Sequence, residues 1–163
     1  MNCELGVFME TVFAFLGRAC ISAIFIFSGL QDVLNWNSQE QYVIGSLTSS
    51  LNAGGIGLWI MPAIHVILSN MTLFFTGAVF LKLSGGIFVL FGWNLRLGAV
   101  MLLLFLIPVT LLFHDFWSKT GPSKVVEMIM FSKNLGLVGG LFLLLSQGSA
   151  SKKKSSSVDK KVI

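Results

Sequence analysis

Several side chains in this chain place ionisable or amide groups inside or at the edge of apolar runs: Arg18, Asp32, Lys82 and the neighbours Lys133 and Asn134. An ionised group in hydrocarbon costs at least about 2.5 to 3.5 kcal/mol on insertion scales, so such groups turn toward a bundle interior and find partners. Asp32 and Lys82 are opposite in sign and fall in neighbouring runs, the pattern of a structural ion pair that lowers the insertion cost of both. Arg18 and Lys133 have long stems that can carry their heads to a membrane surface. For Lys133 that plain reading is as good as a functional one, whereas Arg18 is expected deeper in its span. The histidines are His65, in a segment broken by Pro62, and His114, in Phe113-His114-Asp115-Phe116-Trp117. His65 reads as an interfacial residue. Histidine changes charge near neutral pH, so His114 is a candidate for accepting a proton or contacting a quinone, set against an interfacial histidine among aromatics.

Other chemistries find no residues. Cys3 and Cys20 form no Cys-x-x-Cys pair and no metal-ligand spacing, so no metal site is expected, and any redox role must use a partner's cofactor or a lipid-soluble one. No phosphate-binding glycine loop, catalytic triad or zinc signature occurs.

The elements that must position these groups follow from composition. Of 163 residues, 55% are hydrophobic and 11% charged, against about 25% charged in soluble domains. Such a chain cannot cover a water-facing surface, which excludes a soluble enzyme and a disordered protein alike. A spanning helix needs about 20 mainly apolar residues, and residues 12–34, 97–113 and 125–145 qualify. No Asp, Glu, Lys or Arg occurs from Gln41 through Leu81, and Ile56 to Gly92 would be about 55 Å long as one helix, too long for one crossing. Residues 71–92 are read as the second of four spans, and 56–69 as an interfacial or re-entrant segment; two crossings in that stretch would make five. The fold class is all-α, an integral membrane four-helix bundle with an extra helix between spans one and two. Gly85 and Gly86 in span two, and Gly136 and Gly140 in span four, are expected at close helix contacts or in self-association as a homo-oligomer.

Residues 1–150 hold six basic and six acidic side chains, while 151–163 hold five Lys and one Asp. The net charge of +4 therefore belongs to the Ser/Lys-rich tail, read as a disordered arm drawn to anionic lipid, and gives no argument for nucleic acid. Short-loop basic residues, with Arg96 and the tail on one side against Lys119 and Lys124 on the other, predict both termini cytoplasmic. Lys160 and Lys161 also resemble a dilysine retrieval signal, which would place a eukaryotic chain in the endoplasmic reticulum and leave a bacterial one in the cell membrane.

Read in order, FLGRACISAIFIFSGL, LSGGIFVLFGWNLRLGAVML, FHDFW and FSKNLGLVGGLFLLL resemble the DoxX family of small four-span membrane proteins. DoxX proteins usually carry a base at the position of Asp32 and an acid before the paired glycines, so both signs are inverted here. In that inversion, and in the longer stretch between spans one and two, the chain is similar to plant lesion-inducing-like membrane proteins. The DoxX resemblance implies a membrane subunit or accessory that docks an oxidoreductase partner or lipid quinone, with no intrinsic cofactor. On that reading Arg18 and His114 are the quinone contacts. The alternative is a non-enzymatic cargo-receptor or chaperone-type membrane protein of the early secretory pathway.

Overall fold

The computed structural model describes the backbone of residues 2–52 and 61–159, and side chains over 6–49, 51 and 61–146. It contains α1 (Asn2–Leu34), α2 (Trp36–Asn52), α3 (Met61–Ser69), α4 (Met71–Phe91), α5 (Leu95–Phe113), a short 3-10 turn (Phe116–Ser118) and α6 (Gly121–Asp159), with no strand among the described residues. Four stretches are long and apolar enough to cross a membrane: Gly6–Leu34, Met71–Phe91, Leu95–Ser118 and Gly121–Ser146. The 21 residues of α4 give a length of about 31 Å, matching a hydrocarbon core of about 30 Å. The protein is an all-helical, multi-pass membrane protein.

Between α1 and α4 the sequence reading anticipated one interfacial segment over 56–69. Residues 56–60 of it lie outside the described residues, and the rest forms α3, whose nine residues are about 14 Å long and far short of a crossing. A second helix, α2, precedes it and was not anticipated. The Ser/Lys-rich tail expected to be disordered from residue 151 continues α6 as helix through Asp159. Its backbone inherits an already nucleated helix, and adding residues to an existing helix needs no new nucleus.

The spans pack in chain order as antiparallel neighbours, α1 on α4, α4 on α5 and α5 on α6. Their ends have identifiable causes. Gly92 takes a left-handed conformation (φ 70°) that stops α4, and the Asn94 side chain accepts the Leu97 N–H at 3.2 Å to start α5. Glycines set the close approaches. A Cβ on Gly85 would lie 3.1 Å from the Gly98 carbonyl oxygen, and one on Gly86 would lie 2.8 Å from Ile26, so α4 can approach both neighbours only without side chains there. Gly140 meets Ile21 of α1, but Gly136 meets nothing within 4 Å, which corrects its assignment as an intrachain packing position.

Packing differs between the two ends of the bundle. Toward the end where α1 begins and α6 ends, Phe25, Val89, Leu102, Leu141 and Leu144 join all four spans in one buried cluster. At the opposite end α2 and α3 pack against α4 and α5. Leu47 and Ile64 pack against Leu112 and Phe113 of α5, while Trp36 stacks edge-on against Phe75 of α4 at 4.8 Å. The Thr72 hydroxyl donates to Glu40 at 2.8 Å, tying α2 to the start of α4.

Candidate ligand cavity

Beneath α2 lies an open cavity of about 720 Å³. Its apolar wall includes Phe74, Phe75, Phe105 and Phe113, and α2 contributes Gln39 and Tyr42. Its acids and bases come from three spans and the connection between α5 and α6.

Near the middle of α4, Lys82 extends its ammonium to the Asp32 carboxylate of α1, and both line the cavity. Their side chains are only 9% and 13% exposed. The ammonium also stands 5.0 Å from the centre of the Phe105 ring, a cation–π distance. The residues that read as an interhelical pair from sequence are thus in contact, and they furnish the deep polar spot of the cavity.

The mouth is built differently. His114, the residue that caps the C-terminus of α5, stands there, its backbone N–H still bonded to the Thr110 carbonyl. Nδ1 of His114 lies 2.8 Å from Oε2 of Glu127 on α6. A carboxylate only accepts, so Nδ1 carries the proton and Nε2 is the ring atom left for a ligand. Asp115 is 1% exposed and turns the chain into α6: it accepts from the Ser118 hydroxyl and lies 3.4 Å from Lys119. Each basic side chain at this cavity therefore has an acid beside it, Lys82 with Asp32, Lys119 with Asp115, and His114 with Glu127. Such a set favours a ligand head that is polar and uncharged overall.

Two of the residues singled out from sequence do not share a site. Arg18 abuts Gly92 at the turn between α4 and α5, whereas His114 lies one length of α5 away, about 28 Å. Arg18 is level with that turn and does not line the cavity, so the pairing of Arg18 with His114 on one ligand is corrected. The long, apolar N-terminal half of α1 made Arg18 look deep, but the antiparallel register with α4 sets its depth. Lys133 is exposed with its ammonium 3.5 Å from the Met130 sulfur, and Asn134 instead donates to the buried Thr110 hydroxyl at 3.1 Å, joining α5 to α6. His65 is exposed on α3 and Cys20 is exposed on α1. Among the described residues no three His, Cys, Asp or Glu side chains cluster as metal ligands would.

Glu127 and Phe105 were not singled out from sequence, and Lys119 was weighed there only for topology. Glu127 carried the signal that marks Asp32, an acid inside an apolar run. Nothing in the sequence separates Phe105 from the other phenylalanines.

Comparison with known proteins places these observations in a family. The model for HR-like lesion-inducing proteins matches residues 9–146, nearly the whole described bundle. The chain is also 25% identical over 137 residues to an inner membrane protein, YphA, of Escherichia coli strain K12, covering 84% of this chain and 84% of that one. No solved structure matches it.

Proposed function

The chain belongs to the HR-like lesion-inducing family, and from that premise we propose that its cavity binds the polar head of a lipid-soluble amphiphile within the bilayer. The observation that carries this reading is the cavity itself: about 720 Å³, walled by aromatic rings and holding Lys82–Asp32 at depth and His114–Glu127 at the mouth. Ligand sites are typically apolar clefts of about 300–1,000 Å³ with a few convergent polar groups. Buried charges that are each paired can offer hydrogen bonds without demanding a counter-charge from the ligand.

A quinone head suits these residues. The rings of Phe74, Phe75 and Phe105 offer stacking faces, Lys82 offers a donor suited to a carbonyl oxygen, and Nε2 of His114 offers an acceptor suited to a hydroxyl of the reduced head. When bound, a quinone would supply electron and proton acceptance. Lys82, fixed by Asp32 and Phe105, would orient the head at depth, and His114, held by Glu127, would accept a hydrogen bond at Nε2 at the mouth. Arg18 has no part in this site. The reading is of a DoxX-type membrane subunit that presents a lipid-soluble molecule to a partner oxidoreductase, with both termini in the cytoplasm.

The test is equilibrium binding of a decyl-substituted benzoquinone to the protein in bilayer discs. Wild type should bind saturably, Lys82→Met should weaken binding about tenfold, the loss of one charge-assisted hydrogen bond, and His114→Ala should weaken binding of the reduced hydroquinone more than that of the quinone. Partition that matches empty discs, or binding unchanged in both variants, would overturn the assignment.

A further inference from the structure

Arg18 and Arg96 both stand by the turn between α4 and α5, and neither lines the ligand cavity. Arg18 comes from α1 and its guanidinium abuts Gly92, the residue that ends α4. Arg96 is the second residue of α5, four positions beyond Gly92. Neither arginine has a carboxylate partner among the described residues, where the ion pairs are Lys82–Asp32, His114–Glu127 and Lys119–Asp115. Arg18 donates to the carbonyl of Ala14 in its own helix, leaving the outer nitrogens of its fork to other acceptors. Nε of Arg96 is buried and has no hydrogen-bond partner among the described residues. A buried, unpaired donor on a permanently charged group is costly and calls for an acceptor.

The surroundings specify that acceptor. Trp93, 71% exposed and stacked on Phe91 at 5.2 Å, stands where indole rings mark the headgroup layer. At the start of α5, Asn94 satisfies the N–H groups of Leu97 and Gly98, while those of Leu95 and Arg96 precede the first intrahelical bonds and bear the positive end of the helix dipole. Two guanidinium forks, first-turn amide groups and an indole at headgroup depth suit a phosphate ester.

We propose that Arg18, Arg96 and the first turn of α5 form a binding site for a phosphate group, the headgroup of an anionic phospholipid. This site is separate from the cavity, and it gives Arg18 the partner that its distance from His114 denies it.

The experiment measures thermal stability and native mass spectra of the full chain in discs of phosphatidylcholine alone or with added phosphatidylglycerol, and in detergent with inorganic phosphate. Phosphatidylglycerol should raise the melting temperature of wild type and appear as a retained adduct. Arg18→Gln and Arg96→Gln should each weaken lipid retention about fivefold, the change expected from roughly one basic residue at a membrane surface. Arg96→Lys should restore part of it, and neutralising Lys152, Lys153 and Lys154 should leave the adduct intact. An equal effect of inorganic phosphate would assign the site to free phosphate and overturn the lipid assignment. Retention that is lost with the tail lysines and kept in both glutamine variants would overturn the site. If Arg96→Gln fails to fold, Arg18→Gln and Arg96→Lys carry the same comparison.

Discussion

Replacing Lys82 by Met leaves the largely buried Asp32 carboxylate with no cation. Breaking a buried pair from one side costs about 3–5 kcal/mol. The two side chains are 9% and 13% exposed and the cavity is open, so water relieves part of that cost, and about 3 kcal/mol is expected for Lys82→Met. That figure includes the lost contact with Phe105, worth up to about 1 kcal/mol at a partly wet site. Asp32→Leu should cost less, about 2 kcal/mol, because the flexible lysine stem can turn its head toward the mouth. The double variant replaces the pair by apolar groups of similar volume and should fall within about 1 kcal/mol of wild type, since such exchanges are often neutral. The assay is reversible unfolding in mixed micelles, titrated with sodium dodecyl sulfate and followed by circular dichroism. The decisive quantity is the coupling between the two sites. Losses that simply add in the double variant would refute the claim that the two residues stabilise each other, and so would failure of the charge-swapped Asp32→Lys, Lys82→Asp protein to recover folded yield.

The same unfolding assay checks two further contacts. Asn134→Val should cost about 0.6–1.7 kcal/mol, the range for hydrogen bonds between membrane helices, and combining it with Thr110→Val should add little. Gly98→Ala would bring a Cβ to 2.9 Å from Phe88 and 3.0 Å from the Gly85 carbonyl oxygen, so a loss of about 1–3 kcal/mol is expected, whereas Gly136→Ala meets open space and should be neutral or slightly stabilising. Orientation is testable by labelling single cysteines with a membrane-impermeant reagent in intact cells: a cysteine at His65 on α3 should react and one at Asn94 should not, and the reverse pattern would place the termini outside.

Much of the bundle was legible because hydrophobic run length and the width of a bilayer constrain each other. The Asp32–Lys82 contact was legible for a related reason: unpaired charges in hydrocarbon are costly, and these two were the opposite-signed residues of adjacent spans. The second helix, α2, was not legible, since Trp36–Asn52 has a mixed composition with Ser, Gln and Asn throughout and its buried face is narrow, centred on Leu47. The depth of Arg18 was misjudged because apolar length sets where a helix can cross, while its register against a neighbour sets where it does. Gly29 packing on Leu83, Gly86 on Ile26 and Gly92 on Arg18 fix that register, and none of these pairings is encoded locally. His114 was identifiable, but its partner Glu127 required the turn through Asp115 that returns α6 alongside α5.

The central claim, that the cavity under α2 holds a lipid-soluble amphiphile, is tested most directly by quantitative mass spectrometry of lipid-soluble molecules retained through native purification. The comparison is wild type against Ala78→Trp, whose indole would fill the cavity from its α4 wall. The account predicts one neutral amphiphile at near-stoichiometric amount in wild type and its loss from Ala78→Trp with the folded protein intact. Equal retention in both proteins, or no such molecule in either, would contradict it.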